Sequence, residues 1–450
     1  MSHSAPPTSS SLQTPSATVS FADVAHQTLI FDTSEPTARL VLELTDTPWV
    51  QRLRRLKQTG NTNLVYMFAE HSRFGHSLGV AYLATRLMRS LKKYTPDMVA
   101  PYELAVAAAA LLHDVGHVAP GSHLGEKIWS PRGRTAHERV SVRVLTEDRA
   151  IRSVLERYDP RLPEIVGKIL SSDETLPPWT VQIISGGGWN ADRGNWTIVD
   201  STMASVTYGR YNVAALIDAF RISEDGTLVL QESRLDALTH FFVARDSMYR
   251  QVYQHRVTQG VDLLCEHIVV RIRELLSNAR ATPETAQTFL QSIGVFCDLT
   301  MARALLSDDY GRELGLDSIF AMSEGWWSYH VERWCETHDN ILADLAQRLR
   351  DRRLLKTVRL EAGDTSLVRR ATEVAAQLGL DPRYYVLEVS NADRHRGKSE
   401  ELPRVLLDSG HLVEVTDVEP LIAELLQRSD RTRSWIAVPK EVKEKLGRIR

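Results

Sequence analysis

The chain has 450 residues, 43% of them hydrophobic and 25% charged, which is an ordinary globular composition in a chain too long for one compact core. Its 54 basic and 57 acidic residues give a formal charge of −3, and this acidic balance gives no support to nucleic-acid binding through overall charge. The three cysteines form no CxxC pair and no apolar run approaches the roughly 18 residues of a membrane span, so we expect a cytoplasmic protein without disulfides, thiolate zinc or membrane contact.

The first elements in chain order are a disordered segment and then a strand or hairpin. Residues 1–20 are rich in Ser, Thr and Pro, which is typical of disorder, and they lack the basic-then-apolar pattern of a signal peptide. Organised structure begins near Phe21. The stretch HQTLIFDTSEPTARLVLELTDTP, residues 26–48, has alternating β-branched character and predicts a strand or hairpin.

A mainly helical part extends from Trp49 to about Lys356. Pro48 opens the first helix, PWVQRLRRLKQ, and HSLGVAYLATRLMRSLKKY has its apolar residues near one face and ends in cations that suit a helix C-terminus. PYELAVAAAALLHDVG predicts a helix from Pro101 to near Gly116. Because this helix has little polar character, we expect it to be central and buried.

The remaining elements complete a mainly α fold with a small C-terminal α+β region. Residues 185–196, SGGGWNADRGNW, predict a glycine-rich loop, and residues 235–276 predict one long helix. After Lys356 the stretches KTVRLE, YYVLEV, RVLLDS, HLVEVT and SWIAVPK predict short strands, mixed with helices such as TSLVRRATEVAAQLG. We therefore expect residues 357–450 to form a small α+β region, and we assign it packing or oligomerisation.

Histidines concentrate around the end of the buried helix, where six of the 15 lie between His71 and His137. His113 and Asp114 are adjacent at that end, and neutral imidazole and carboxylate suit a divalent transition metal. His76, at the start of another helix, is a candidate for a further ligand. Taken alone, an HD pair is more often a capped helix end, so both interpretations stay open at this point.

Four ordered motifs carry a resemblance to a known family. RFGHSLGV, HDVGH, HERVS and NADRGNW resemble the H…HD…D arrangement of the HD-domain metal phosphohydrolases. DTPWVQRLRRLKQTG followed by SRFGHSLGV is similar to the branch of deoxynucleoside triphosphate triphosphohydrolases, which includes the bacterial dGTPases and the sterile-alpha-motif HD-domain enzyme. VARDSMYRQVYQHRV resembles the substrate-binding helix of that branch, and LADLAQRLRDRRLLK resembles a segment late in these proteins. The likeness covers about residues 24–356.

The resemblance implies an HD-domain helical bundle over residues 21–356 that binds a divalent metal such as Mn, Fe, Zn or Mg. By the same resemblance, the ligands would be His76, His113, Asp114 and Asp192. Two imidazoles and two carboxylates leave coordination positions open for water and a phosphate oxygen. Without the other three ligands, Asp192 reads as an ordinary loop or cap aspartate.

Three further histidines and one glutamate match active-site positions of the family: His117, His123, His137 and Glu126. Hydrolysis at the α-phosphorus needs an activated water and an acid that protonates the departing 5′ oxygen. A histidine whose pKa lies near neutrality can serve as either. We expect His123 and His137 to transfer protons and His117 to contact phosphate, although each alone is as often a hydrogen-bonded structural histidine.

A second set matches substrate-binding positions by resemblance, namely Gln58, Arg73, Asp200, Arg245, Tyr249, Tyr253 and Arg256. The last four are spaced by four, four and three residues, so on one helix they form a stripe. Guanidinium groups suit phosphate oxygens, and tyrosines can stack on a base or sugar. Gln58 and Asp200 match positions that contact the sugar 3′ hydroxyl. Without the likeness, the stripe is typical of a solvated helix face.

Four positions around the sugar pocket depart from the family pattern. Thr59 and Trp196 stand where the family usually has Leu and Tyr, and Asn195 and Val199 replace a common Asp and a common Arg. HDVGHVAPGSH also has one residue more than the usual HDxGHxPxSH. The four metal ligands survive these changes, which instead concern the choice of sugar and base.

The resemblance predicts a hydrolase that removes triphosphate from dGTP or from deoxynucleoside triphosphates in general. The altered sugar pocket keeps open a second hypothesis, an HD-type phosphohydrolase that acts on a ribonucleotide or a signalling nucleotide. A third hypothesis is a nucleotide-sensing regulatory protein. The resemblance also implies a homo-oligomer with a nucleotide effector, and roles in deoxynucleotide pool control or in starving phage replication would both fit.

Overall fold

The structure, a computed structural model, describes residues 17–132, 135–276, 282–361, 365–390, 402–428 and 434–447. Within these residues the protein is mainly helical with three small sheets, as the sequence predicts. Most of the segment that we expect to be disordered lies outside the described residues. None of the described helices combines the length and apolar character needed to cross a bilayer.

A β-hairpin and a helix form the first described part. Strand β1 (Thr18–Asp23) pairs antiparallel with β2 (Gln27–Asp32), so regular structure already begins within the segment predicted to be disordered. The strand prediction for residues 26–48 holds only for its first part, because α1 (Pro36–Thr45) follows. The proline of α1 stands in the first turn, where its missing N–H costs little, and Leu40, Val41 and Leu44 are buried on one face.

Helices form most of the chain up to residue 350. Those before residue 220 are Pro48–Arg52 (α2), Arg73–Lys92 (α3), Pro96–Val99 (α4), Glu103–Leu112 (α5), Leu124–Trp129 (α6), Ala136–Glu147 (α7), Arg149–Tyr158 (α8), Leu162–Leu170 (α9), Pro178–Ser185 (α10), Ala191–Met203 (α11) and Val213–Ala219 (α12). Those after it are Leu235–Met248 (α13), Arg256–Leu276 (α14), Pro283–Ser292 (α15), Leu299–Leu306 (α16), Tyr310–Glu313 (α17), Leu316–Ala321 (α18), Glu324–Trp334 (α19) and Asn340–Arg350 (α20).

Helix α5 lies at the centre of the bundle, as its composition predicts. Every residue from Ala105 to Leu112 is buried, and α5 packs against α1, α3 and α9. Its run of alanines lets neighbouring helices approach closely. The helix begins at Glu103 rather than Pro101 and ends before Gly116, so the HD pair begins the turn that follows α5.

The long helix predicted for residues 235–276 is interrupted. Helix α13 ends at Met248, Tyr249–Tyr253 form a π-helical turn, and α14 begins at Arg256. A π turn changes the number of residues per turn, so side chains on its two sides do not continue one straight stripe. Tyr249 and Tyr253 lie within this turn, whereas Arg245 lies before it and Arg256 after it.

The described strands beyond the hairpin are Phe220–Ile222 (β3), Leu228–Gln231 (β4), Lys356–Leu360 (β5), Leu387–Ser390 (β6), Arg404–Leu406 (β7), Leu412–Glu414 (β8) and Ser434–Val438 (β9). The late helices are Thr365–Gln377 (α21), Pro382–Tyr385 (α22), Val415–Val418 (α23), Pro420–Arg428 (α24) and Lys440–Gly447 (α25). All five predicted C-terminal strands are present, and they divide between two sheets with the orders β5-β9-β6 and β3-β4-β7-β8.

The second sheet joins the C-terminal region to the helical part. Strands β4 and β7 pair in parallel, with Leu230 opposite Val405. Just before β7, Pro403 packs on Gly188, where an added Cβ would lie 2.7 Å from the Pro403 Cδ. Gly188 also has a φ of +73°, which favours glycine. The C-terminal region therefore contacts the loop that precedes α11.

Candidate metal centre and nucleotide cavity

Three of the four predicted metal ligands converge where two helices meet. His76 lies in the first turns of α3, and His113 and Asp114 follow the end of α5. One ligand atom from each lies within 4.8 Å of the others. The packing of α3 on α5 brings them together, because the start of one helix lies beside the end of the other.

The fourth predicted ligand, Asp192, belongs to the first turn of α11. The loop predicted for residues 185–196 is shorter than expected, because the Asn190 side chain caps α11 by accepting a hydrogen bond from the Arg193 backbone N–H at 2.7 Å. Asp192 Oδ1 lies 3.1 Å from His76 Nε2 and 3.8 Å from His113 Nε2. Burial opposes ionisation of Asp192, but the hydrogen bond and charge of His76, together with the charge of His113, outweigh burial and lower the pKa of the carboxyl.

The donor atoms fit a divalent cation. His113 donates from Nδ1 to the Ala110 carbonyl oxygen at 2.9 Å, which leaves Nε2 with a lone pair. This Nε2 is buried and has no hydrogen-bond partner among the described residues, while Asp114 Oδ1 lies 3.5 Å away. A lone pair and a carboxylate that face each other without a proton between them suit a metal ion.

A buried asparagine supports the His76 ring from behind. Asn195 is fully buried, and its Nδ2 lies 3.1 Å from His76 Nδ1 and donates to the His76 carbonyl oxygen at 3.2 Å. Its Oδ1 accepts a hydrogen bond from His26 Nε2 at 3.0 Å. The amide sits directly on Gly79, where an added Cβ would lie 2.4 Å from Asn195 Oδ1. The sequence marks Asn195 only as a departure from the family pattern.

The three other predicted histidines form one cluster, in which His117 is buried, His137 is half-buried and His123 is exposed. The rings of His117 and His137 stack with centroids 4.0 Å apart, and His123 lies 5.9 Å and 6.2 Å from them. His117 Nε2 reaches Asp114 Oδ1 at 3.3 Å. His137 Nδ1 donates to Glu126 Oε2 at 2.7 Å.

The surroundings separate the pKa values of this cluster. Burial, with the charges of Arg73 and His137, holds the pKa of His117 well below its usual value. Burial and His137 also lower the pKa of His123. Burial opposes protonation of His137, but the hydrogen bond to Glu126 and the negative charges of Glu126, Glu138 and Asp114 together outweigh burial and raise the pKa of His137.

The metal-ligand group opens into a cavity of about 390 Å³. The predicted residues that line it are Gln58, Arg73, His76, Asp114, His123, Asp192, Asp200, Tyr249 and Tyr253. Arg73 Nη1 donates to Asp114 Oδ2 at 2.5 Å, so this cation is held by a metal-ligand carboxylate. Thr59 and Trp196, two of the departures from the family pattern, also line the cavity.

Asp200 is held from two sides in this cavity. It accepts a hydrogen bond from His71 Nε2 at 2.7 Å and another from the Tyr253 hydroxyl at 2.5 Å. Burial and the Asp200 carboxylate raise the pKa of Tyr253 well above its usual value. Trp196 and Tyr249 complete an aromatic group with Tyr253, in which ring centroids lie 5.3–5.7 Å apart.

Some predicted residues do not line the cavity. Arg256 is exposed at the start of α14, and the Arg245 guanidinium lies over the Tyr249 ring at 5.4 Å from its centroid. These two arginines therefore do not line the cavity with Tyr249 and Tyr253, and their part in substrate binding stays a prediction. His117, His137 and Glu126 stand behind the wall, and His113 contributes only to the metal-ligand group.

The prediction missed further residues that line the cavity, namely Thr62, Ser122, Leu124, Lys127, Gln254, Thr258, Asp262 and Glu266. Gln254 adjoins Tyr253 within the stretch compared with the substrate-binding helix. Thr258, Asp262 and Glu266 follow at helical spacing on α14, a signal that could have identified them once this helix was placed at the site.

Residues 73–173 match the family model of the HD domain. Together with the helical fold and the group of possible metal ligands, this match shows that the chain contains an HD domain over these residues. The uncharacterized protein YwfO of Bacillus subtilis is 28% identical over 411 residues, which cover 90% of this chain and 89% of that protein.

The deoxynucleoside triphosphate triphosphohydrolase SAMHD1 of Danio rerio is 40% identical over 328 residues, which cover 61% of this chain and 52% of that protein. This chain thus spans about half the length of that relative. A solved structure of a phosphohydrolase from Bacteroides thetaiotaomicron superposes with a TM-score of 0.76 at 20% identity and covers 94% of this chain and 100% of that one. The last likeness is one of fold.

Proposed function

We propose that this protein is a metal-dependent hydrolase that converts a deoxynucleoside triphosphate to the deoxynucleoside and inorganic triphosphate. The observation that carries the proposal is the convergence of His76, His113 and Asp114 at a cavity of about 390 Å³, a size that suits a nucleotide. The similarity to SAMHD1 of Danio rerio supports the choice of substrate class.

The metal ligands would be His76, His113, Asp114 and Asp192. When bound, a divalent cation supplies positive charge that stabilises the phosphate oxygens and favours deprotonation of water. Arg73, which already contacts Asp114, adds a fixed guanidinium on the same side of the cavity. The α-phosphorus would therefore lie at this end.

The chain's own histidines would handle the protons. Water adds its oxygen to the α-phosphorus as the bond to the 5′ oxygen breaks, and the 5′ oxygen takes up one proton. We assign this transfer to His123, because it lines the cavity and its lowered pKa keeps it neutral, so that it can take a proton from the attacking water and then pass a proton to the departing 5′ oxygen. His137 and Glu126 stand behind it and share a proton across a 2.7 Å hydrogen bond.

The sugar would be held by Gln58 and Asp200. The Gln58 Oε1 is buried in the cavity wall without a hydrogen-bond partner among the described residues, as expected of an atom that awaits a ligand donor. Asp200 is fixed by His71 and Tyr253 and keeps carboxylate lone pairs that can accept from a 3′ hydroxyl.

The charge of the cavity favours a second candidate, hydrolysis of another nucleotide with fewer phosphates. Five carboxylates line the cavity against two cations, Arg73 and Lys127. Each of these cations already pairs with a carboxylate, Asp114 and Glu266 respectively. Without bound cations, this arrangement repels a highly charged triphosphate more than a monophosphate.

The test is product analysis. Purified protein supplemented with Mn²⁺ is incubated with each of the four deoxynucleoside triphosphates, the four ribonucleoside triphosphates and the corresponding monophosphates, and the products are separated. Deoxynucleoside plus inorganic triphosphate is the expected result. Release of monophosphate or diphosphate, or turnover of monophosphates alone, would instead favour the second candidate, and absence of any turnover would contradict both.

A matched pair of variants tests the metal centre. His113→Ala combined with Asp114→Ala should abolish Mn²⁺ binding and turnover while the helical circular dichroism is kept. His240→Ala removes an exposed imidazole from α13 and should change neither. Turnover that persists in the double variant would refute the metal assignment.

A further inference from the structure

One wall of the cavity is acidic and is built from a single face of α14. Thr258, Asp262 and Glu266 follow one another at four-residue spacing, so they stack along the helix and face the same side. All three line the cavity together with the metal ligands. We call these three residues the α14 wall.

The contacts of the α14 wall hold its carboxylates in place. Asn61 Nδ2 donates to Asp262 Oδ1 at 3.2 Å, and Lys127 Nζ pairs with Glu266 Oε1 at 2.6 Å. Thr258 is only 4% exposed, and its hydroxyl has no hydrogen-bond partner among the described residues. Since buried hydroxyls are normally hydrogen-bonded, a hydroxyl in a cavity wall that has no protein partner is expected to bond to a ligand.

Charge decides which end of a nucleotide this wall can face. Phosphate oxygens next to Asp262 and Glu266 would meet like charge in a partly buried site, which is unfavourable. The opposite is true at the metal-ligand end, where Arg73 and a bound cation would attract them. A nucleotide with its α-phosphate at the metal ligands therefore places its neutral base, not its phosphates, against the α14 wall.

We propose that the α14 wall reads the base and that Asp262 is a specificity-determining residue that favours guanine over thymine. The inference rests on the proposed nucleotide hydrolysis. Guanine presents two adjacent donors, N1–H and the 2-amino group, which a carboxylate accepts together. Thymine presents a single N–H between two carbonyl oxygens, and both oxygens repel a carboxylate. Adenine and cytosine, with one amino group each, are intermediate.

The flanking groups of the wall complement the rest of guanine. The Thr258 hydroxyl can donate to a carbonyl or ring acceptor, as can the Lys127 ammonium at the cavity mouth. A site built from such groups discriminates strongly against a base that lacks the matching donors, because its buried polar atoms then stay unpaired.

The test compares kcat/KM for dGTP and dTTP in the wild type, in Asp262→Asn and in Glu274→Gln. The Asn variant keeps the shape of Asp262 and removes its charge. Glu274 also lies on α14 but not on the cavity wall, so Glu274→Gln is the control for loss of a carboxylate from this helix. We expect the wild type to prefer dGTP, the Asp262→Asn change to reduce the dGTP:dTTP ratio by about 10- to 100-fold, and the control to keep the ratio.

A binding measurement separates this inference from the proposed reaction. Deoxyguanosine and thymidine are titrated calorimetrically into the wild type and into Asp262→Asn, which requires no turnover. Preferential binding of deoxyguanosine that is lost in the variant would support the base assignment even if no triphosphate is hydrolysed. Hydrolysis with an unchanged dGTP:dTTP ratio and unchanged nucleoside preference in Asp262→Asn would overturn the inference and leave the reaction standing.

Discussion

Replacing Asn195 with alanine should weaken metal binding without removing a ligand. Asn195 holds the His76 ring through Nδ1, and its loss leaves that ring free to turn away from the metal-ligand group. Loss of a hydrogen bond behind a metal ligand typically weakens affinity by about 10- to 100-fold, or about 1.4 to 2.7 kcal/mol. His26 and the His76 carbonyl also lose a partner, so the free energy of unfolding should fall by about 1 to 3 kcal/mol.

The assay is calorimetric titration of metal-free protein with Mn²⁺, with urea unfolding in parallel. Gly79→Ala provides an independent route to the same disturbance, because its Cβ would collide with the Asn195 amide. Asn212→Ala is the matched control: this exposed asparagine caps α12 by accepting from the Ala215 N–H, so its loss should cost about 1 kcal/mol of stability and no metal affinity. Mn²⁺ affinity unchanged in folded Asn195→Ala and Gly79→Ala protein would refute the reasoning.

Three further predictions concern the residues around the site. Glu126→Gln removes the carboxylate that raises the pKa of His137. The loss of unfolding free energy, measured by urea titration, should be largest at pH values between the ordinary pKa values of Glu and His, and it should shrink as the pH rises through the raised pKa of His137. A loss that does not change with pH would contradict the pairing of Glu126 with His137. The fully buried Arg52 guanidinium, whose pKa burial lowers to about 9, donates hydrogen bonds to carbonyl oxygens that include those of His117 and Phe320. Arg52→Met leaves these oxygens without a donor and should lower the free energy of unfolding by about 3 to 5 kcal/mol. A loss below about 1 kcal/mol would show that the carbonyl oxygens find other partners. Dialysis against a chelator should lower the melting temperature of the wild type, and added Mn²⁺ should restore it in proportion to ln[Mn²⁺]; a melting temperature insensitive to both would argue against a metal centre.

The sequence predicts the metal-ligand group because the signals that identify each of its residues are local. Each of His76, His113 and Asp114 lies at a helix end that its own neighbours define, and the alanine-rich α5 can only be a buried helix. The short C-terminal strands are also predictable, since each is a short stretch that contains apolar and β-branched residues. Their division between two sheets is not, because the pairing of β7 with β4 joins parts of the chain that are distant in sequence.

The cavity wall is less predictable for a related reason. The π turn at Tyr249–Tyr253 has no sequence signal, and the helical spacing on α14 does not show which face of that helix lines the cavity, since both depend on packing against neighbouring helices. The straight-helix assumption therefore includes Arg245 and Arg256 and omits Asp262. The role of Asn195 likewise becomes apparent only in the structure, which places His76 and Gly79 beside it.

The contact between Pro403 and Gly188 has a consequence for how the protein matures on the ribosome. Gly188 belongs to the loop that leads into α11 and hence to Asp192, yet its partner is synthesised more than 200 residues later. A nascent chain that has emerged only through α20 holds every proposed metal ligand but lacks the strand and the proline that cover this loop. The packing of the loop that leads into α11 is therefore completed only after the C-terminal region has been synthesised.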